Sequence, residues 1–265
     1  MEDNYVYVSQ GRGKAEDMVM EEKLKGVKEA EAAFQRSKVY RLLSYSFFYP
    51  DDELLDFIKG SEFIKEISSA FEGHPVNTEW RVAVSHFKNG VAAIGNDIAM
   101  DEYMRLLTMK SKCPPYENEY YRGRGGGICS TEEMADIAGF YRAFGMVFSE
   151  ERSDHIAVEL EFMHLVTIKE AEAALKVDVE NIDLCVSVEG KFLHDHLGRW
   201  ADAFWAALTK EKSLFYTHIA SLLVLWINLE CQYLNVAPKK IEDFNMEDIE
   251  EEKICLGEVI HEAVQ

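Results

Sequence analysis

Two cysteine arrangements that would place the protein in a familiar class are missing from the sequence. No cysteines stand at Cys-x-x-Cys spacing, and no cysteine and histidine residues have zinc-finger spacing. The five cysteines are an odd number, which argues against a disulfide framework. Free thiols are typical of a reducing compartment, so we expect a cytoplasmic protein. The first residues lack a basic start followed by an apolar run, so we expect no signal peptide.

Basic residues are also scarce, because 28 lysines and arginines stand against 48 aspartates and glutamates, giving a net charge of −20. Nucleic acids and anionic membranes both require a basic surface, so neither is expected to be a main partner. An acidic surface attracts basic partners. A solvated surface adapted to a salty or hot habitat explains the charge equally well. The most apolar stretch, 219–229, is too short to span a bilayer and is interpreted as a buried helix, so no stable membrane insertion is expected.

No stretch as long as a β-strand shows convincing alternation of apolar and polar residues, and no internal repeat is apparent. Apolar residues instead recur at helical spacing. We therefore predict an all-α fold, a single compact bundle of roughly nine to eleven helices. Residues 1–19 are predicted to be a flexible N-terminal segment, residues 20–238 the helical domain, and residues 239–265 an acidic C-terminal tail.

The middle of the sequence carries the clearest local signals. Pro114-Pro115 should stop a helix, because proline lacks the amide donor. Gly145 has the character of a helix C-cap. Ser153 or Asp154 is predicted to cap the next helix, with His155 in its first turn. Further along, one long helix is predicted from residue 181 to about residue 210, with a face formed by His194, His196, Trp200 and Phe204 that we interpret as packing.

Three motifs in this region resemble those of the TorD/DmsD/NarJ family, which consists of all-helical chaperones dedicated to molybdenum-containing redox enzymes. They are E-Y-x-x-L-L (102–107), P-P-Y-E-x-x-Y (114–120) and E-x-x-D-H-I (151–156), the last followed by E-L-E-F-M. Leu107 stands where the family usually has phenylalanine, and Arg152 stands where proline is common. The resemblance extends more loosely over about residues 31–236.

The resemblance implies a cytoplasmic chaperone that is not an enzyme and needs no cofactor. It would bind the N-terminal leader, of the twin-arginine type, of a molybdopterin-dependent oxidoreductase catalytic subunit in its apo form. It would hold that subunit for cofactor insertion and assembly before export, acting as a monomer or homodimer. A helix start lined by Asp154, Glu159 and Glu117 could receive arginine side chains in bidentate geometry. The complete set of predicted peptide-binding residues is Tyr103, Leu106, Leu107, Pro114, Pro115, Tyr116, Glu117, Asp154, His155 and Glu159.

Two alternatives remain open from the residues alone. A tyrosine and leucine stripe at helical spacing is as often simply core, which applies to Tyr103, Leu106 and Leu107. Two E-x-x-H pairs, Glu161–His164 and Glu258–His261, have the spacing found in helical di-iron carboxylate proteins. That site needs two further inward glutamates, and with them the protein would be a di-metal carboxylate protein.

Overall fold

Helices provide almost all of the regular secondary structure in the computed structural model, which describes residues 9–69, 77–121, 128–147 and 152–241. A short 3-10 helix, Glu117–Tyr120, precedes α6. The α-helices within these ranges are α1 (Ser9–Tyr45), α2 (Asp52–Lys59), α3 (Ser61–Ser68), α4 (Asn77–Ala92), α5 (Asn96–Leu106), α6 (Ile128–Ala143), α7 (Ile156–Leu175), α8 (Val179–Asp195), α9 (Leu197–Lys210) and α10 (Tyr216–Tyr233). The all-α prediction and the predicted number of helices are confirmed for these ranges.

Helix α1 begins at Ser9 and so crosses the predicted boundary at residues 19 and 20 without a break. A nucleated helix elongates at little cost, and residues 9–20 contain no proline to interrupt it. At the other end, Lys239 donates its amide to the carbonyl of His194 at 3.1 Å, so the start of the predicted acidic tail lies against α8. Most of that tail, residues 242–265, lies outside the described residues, as do residues 1–8.

Helices α1 and α7 pack along each other in antiparallel orientation. Ser44 on α1 donates its hydroxyl to the carbonyl of Ala157 at the start of α7, at 2.8 Å. At the opposite end, a Cβ atom on Gly26 would lie 2.5 Å from the carbonyl oxygen of Ala174, a distance that only glycine permits. Small residues therefore let the two backbones approach closely. They form a separate apolar cluster of Ala30, Ala33, Ala171 and Ala174.

The main core is rich in aromatic residues. Three tryptophans, Trp80, Trp200 and Trp226, are fully buried within it. Such side chains remove large apolar areas from water and dominate the energetics of a core. The largest buried side chains besides the tryptophans are Tyr40, Tyr141, Tyr216, Phe47, Phe63, Phe162, Phe192, Phe204 and Phe215.

The most apolar helix, α10, lies inside this core. Ile219, Leu223 and Ile227 are each about 1% exposed or less, so the buried-helix interpretation of residues 219–229 is confirmed. In the part of the chain that the structure describes, no helix combines the length and the hydropathy needed to cross a membrane.

Four helices meet at one buried cation. The Arg36 guanidinium on α1 bonds Glu170 of α7 at 2.8 Å, Glu230 of α10 at 2.8 and 2.9 Å, and Glu189 of α8. Tyr40 also donates to Glu230 at 3.0 Å. Three carboxylates around one guanidinium leave an excess of negative charge in a buried site. Burial is the main reason that the pKa of Glu189 is raised to about 8.

The prediction of one continuous helix from residue 181 to about residue 210 was wrong. The chain leaves helical geometry at His196, where φ is −131° and ψ is −100°, and this separates α8 from α9. Gly198 permits the break, because a Cβ there would lie 2.3 Å from the carbonyl oxygen of Leu193 and 2.9 Å from the ring of Pro238. Apolar residues keep helical spacing on both sides, so the sequence pattern alone did not reveal the break.

One predicted cap is seen in the structure, and a further capping contact was not predicted. Gly145 follows α6 with φ +74°, and the amide of Met146 bonds the carbonyl of Tyr141 at 2.9 Å, so the predicted glycine cap is confirmed. The glutamate of E-Y-x-x-L-L, Glu102, serves the start of α10. It accepts hydrogen bonds from the hydroxyl of Ser213 at 2.8 Å and from the amide of Phe215 at 2.9 Å.

We expect Glu102→Ala to lower the free energy of unfolding by about 3 kcal/mol, because it leaves buried donors without an acceptor. Urea denaturation at pH 7 measures this. Asp101→Ala, an exposed change on the same helix, is the control and should have little effect. Equal losses in both variants would contradict the capping role.

The raised pKa of Glu189 predicts how stability depends on pH. The folded protein keeps a proton at pH values where unfolded glutamate has lost it, so stability falls as pH rises from about 4.5 to 8, by at most about 1.4 kcal/mol per pH unit. Glu189→Gln keeps an oxygen for Arg36 and removes that proton. We expect a flatter dependence for this variant than for wild type or the exposed control Glu180→Gln, measured by urea denaturation across this range.

Candidate functional site

A single antiparallel bridge joins two of the sequence motifs. Tyr116 of P-P-Y-E pairs with His155 of D-H-I, and the amide of Glu117 donates to the carbonyl of Asp154 at 2.9 Å. The ring of Tyr116 stands edge-on to the imidazole of His155, with centroids 5.1 Å apart. The predicted grouping of these four residues is therefore present in the structure.

The start of α7 differs from the prediction. The N-cap is His155, not Ser153 or Asp154, and its Nδ1 accepts a hydrogen bond from the amide of Ala157 at 3.1 Å. A neutral imidazole nitrogen can accept such a bond, as a capping aspartate would. Asp154 is thereby left to make its hydrogen bonds away from the helix axis.

The carboxylate of Asp154 is completely buried and already holds a guanidinium group. Arg152 donates to it through Nε at 2.9 Å and through an Nη at 2.7 Å. Asn118 donates its side-chain amide to Asp154 at 3.0 Å. The same guanidinium lies 4.6 Å above the ring of Tyr116 and 3.6 Å from the carboxylate of Glu119. Bidentate charge-assisted bonds and an aromatic face are the usual components of an arginine-binding site.

The carboxylate of Glu117 has a different set of partners from that of Asp154. It accepts hydrogen bonds from the hydroxyl of Tyr121 and from Nδ1 of His196 at 3.2 Å, while Nε2 of His196 lies 3.1 Å from Asp136. Burial lowers the pKa of His196, but the carboxylates of Glu117 and Asp136 outweigh it and raise the pKa above its usual value. The doubly protonated ring can then donate to both carboxylates.

Glu159 faces Glu117 from the first turn of α7. The indole of Trp200 donates to one of its oxygens at 3.1 Å. Among the described residues its other oxygen has no hydrogen-bond donor. Burial, followed by the negative charge of Glu117, raises the pKa of Glu159 well above its usual range. A protonated Glu159 can donate to Glu117, so the two carboxyl groups need not both be charged.

A second guanidinium lies at the other end of the 3-10 helix. Arg199 on α9 stacks 4.4 Å above the ring of Tyr121, and one of its nitrogens lies 3.3 Å from Glu133. The ligand atoms of Glu117, Glu133 and His196 lie within 4.8 Å of one another, as a metal site would require. The neighbouring positive charge of Arg199 disfavours a bound cation there, because like charges repel.

The apolar residues of the prediction belong to the core. Tyr103 packs edge-on against Tyr49 and 5.9 Å from Tyr216, and the carbonyl of Leu106 accepts a hydrogen bond from the amide of Cys113 at 3.1 Å. In this conformation every predicted peptide-binding side chain is buried, namely Tyr103, Leu106, Leu107, Pro114, Pro115, Tyr116, Glu117, Asp154, His155 and Glu159.

The two E-x-x-H pairs give no support to the di-metal alternative. Glu161 is exposed, while Nδ1 of His164 lies 3.0 Å from the carbonyl of Ser37 on α1. These two side chains do not point to a common inward position. The pair Glu258–His261 lies outside the described residues.

Over the described residues, the fold and the site together define an all-helical protein with a buried, charged cluster that holds the guanidinium groups of its own Arg152 and Arg199. Comparison with known proteins gives the family. The family model described as nitrate reductase delta subunit matches residues 74–206, which is half of the chain and includes all three motifs. The chain therefore belongs to this family, the TorD/NarJ type of maturation chaperone. It is accordingly a chaperone of molybdoenzyme maturation and not a catalyst.

Two curated relatives agree with this placement. The chaperone protein TorD of Photobacterium profundum is 27% identical over 191 residues, which cover 70% of this chain and 83% of the relative. The chaperone protein TorD of Vibrio atlanticus is 26% identical over 133 residues, 49% of this chain and 60% of the relative. A crystal structure of an Archaeoglobus fulgidus protein assigned to redox enzyme maturation aligns with a TM-score of 0.42 and 21% identity, over 73% of this chain and 93% of the other.

Glu159 and Asp154 are both buried, but among the described residues only Asp154 of the two pairs with a cation. Replacing each acid by its amide should therefore change the free energy of unfolding by different amounts. Glu159→Gln should change the free energy of unfolding at pH 7 by less than about 1 kcal/mol, because a neutral amide replaces a protonated acid. Asp154→Asn should cost about 2 kcal/mol or more, because it removes the charge that pairs with Arg152. Urea denaturation of both variants checks this, and a larger loss for Glu159→Gln would contradict the assignment of its proton.

Proposed function

We propose that this chaperone binds the N-terminal leader, of the twin-arginine type, of a molybdopterin-dependent oxidoreductase catalytic subunit. It holds the apo form of that subunit in the cytoplasm for cofactor insertion and assembly before export. The observation that carries the proposal is the Tyr116–His155 bridge. It brings the two motifs together at a carboxylate, Asp154, whose surroundings already accommodate a guanidinium group.

Electrostatics support a basic ligand. The chain has a net charge of −20, and leader peptides begin with a basic region. Long-range attraction between the two accelerates their encounter and weakens with added salt. Within the site, Asp154 and Glu117 provide carboxylates close to the bridge, the carboxyl group of Glu159 lies beside them, and Asp154 binds a guanidinium in bidentate geometry.

The apolar part of a leader requires an apolar surface between helices. We assign this role to Tyr103, Leu106, Leu107 and the Pro114-Pro115 pair. They are buried in the conformation described, so binding has to expose them by moving neighbouring elements. A ligand shifts such an equilibrium by its preference for the open state, and new apolar contacts provide that preference.

The relatives support a redox-enzyme client. The two curated relatives are chaperone proteins TorD, and the family description refers to nitrate reductase. The client of this chain is thus expected among enzymes of that general type. A monomer or homodimer remains the predicted oligomeric state.

Calorimetric titration with leader peptides from candidate molybdoenzymes tests the proposal. We expect a Kd of about 1 μM or lower that weakens roughly fivefold between 50 and 300 mM salt. The double variant Asp154→Asn, His155→Asn should abolish binding. Asp154→Asn keeps the shape of the side chain, and asparagine at position 155 retains the ability to cap α7 although it removes the ring beside Tyr116.

Two controls accompany this titration. Thermal unfolding of the double variant establishes that it is folded, and Asp52→Asn, an exposed acidic change in α2, should leave affinity unchanged. Binding that survives in the folded double variant would move the site elsewhere. Absence of binding to every leader tested would contradict the proposed function.

A further inference from the structure

The residue that neutralises Asp154 is only a local neighbour in the sequence. Arg152 precedes it by two residues, and its side chain is 28% exposed, whereas the side chain of Asp154 is completely buried. The guanidinium is therefore the outer partner of the pair. A partly exposed arginine side chain can rotate towards water about its own bonds.

The contacts of Arg152 are those expected for a bound arginine ligand. The guanidinium makes two parallel bonds to one carboxylate, lies 3.6 Å from a second, and stacks on the ring of Tyr116. Arg199 is held in a related but not bidentate way at the far end of the 3-10 helix, by the ring of Tyr121 and a single contact to Glu133. The segment from Tyr116 to Tyr121 thus holds one guanidinium at each end.

We propose that Arg152 is an internal stand-in for an arginine of the client leader. It fills the guanidinium site at Asp154 in the free chaperone and is displaced when the leader binds. The inference rests on the proposed function for the identity of the incoming arginine. The existence of an exchangeable guanidinium site can be tested without any leader.

A resident competitor lowers apparent affinity by the fraction of time that the site is free. If Arg152 occupies Asp154 more than about nine-tenths of the time, its removal should tighten the binding of an arginine-containing ligand by about tenfold or more. The same occupancy keeps Asp154 from being a buried, unpaired charge while no client is bound. Arg152 would therefore stabilise the free chaperone by pairing the charge of Asp154. It would also require a client arginine to bind more tightly than Arg152 does.

The first test uses small molecules. Arg152→Ala should lower Tm by several degrees, because Asp154 loses its cation. N-acetyl-arginine amide at about 10 mM should restore about 3 °C of that loss by binding the vacated site. N-acetyl-lysine amide should restore less, because it cannot form the bidentate pair. Neither compound should raise the Tm of wild type or of Arg142→Ala, which removes an exposed arginine from α6.

The second test uses the leader peptide found by calorimetry. Arg152→Ala should bind it about tenfold more tightly than wild type does. A leader with its arginines replaced by glutamine should show no such gain. Arg152→Gln, which keeps a donor for Asp154, replaces the alanine variant if that variant does not fold.

The two tests separate the two claims. Absence of rescue by the arginine compound, together with unchanged or weaker leader binding in Arg152→Ala, overturns the stand-in role and leaves the proposed function intact. Rescue by the arginine compound without leader binding in any variant overturns the proposed function and the competition, while the guanidinium site itself is supported. Rescue together with tighter, arginine-dependent leader binding supports both.

Discussion

Burial of carboxylates, and the need to pair each of them, is the constraint on which the rest of this structure depends. Moving an ionised carboxylate out of water costs several kcal/mol unless a cation or hydrogen-bond donor replaces the water. The partner usually comes from a distant part of the chain. Arg36 of α1 binds Glu230 of α10, and Glu102 of α5 accepts a hydrogen bond from the amide of Phe215, just before α10. Each pairing fixes the relative position of two helices.

In the candidate site, three buried carboxyl groups lie close together, and each is neutralised in a different way. Glu117, Asp154 and Glu159 are all fully buried. Asp154 is neutralised by Arg152, Glu117 shares His196 with Asp136, and Glu159 is left in a state that favours its protonated form. Such a site already stabilises a guanidinium and has carboxyl groups in different charge states. Under the proposed function, this is the charge arrangement that an arginine of the leader would meet.

Much of the fold, and part of the candidate site, could be predicted from the sequence. Helical spacing and missing strand alternation were enough for the all-α fold, because local propensity and apolar periodicity act over a few neighbours. The motifs 102–107, 114–120 and 151–156 were enough for the family, and Gly145 was recognised as a cap from its flexibility alone. The break at His196 was missed, because it depends on the contact of Gly198 with Pro238, which is distant in sequence.

The sequence by itself determined the helical class, the family and the grouping of Tyr116 and Glu117 with Asp154 and His155. Only the tertiary structure decided which groups satisfy those carboxylates. Asn118 and Arg152 stood inside the motifs without revealing that both bind Asp154, and His196 lay on a helix whose break could not be foreseen. The physical reason is that burial is set by segments far apart in the chain, and burial decides whether neighbours such as Arg152 and Asp154 pair with each other or with water. Periodicity and motif spacing describe only neighbours.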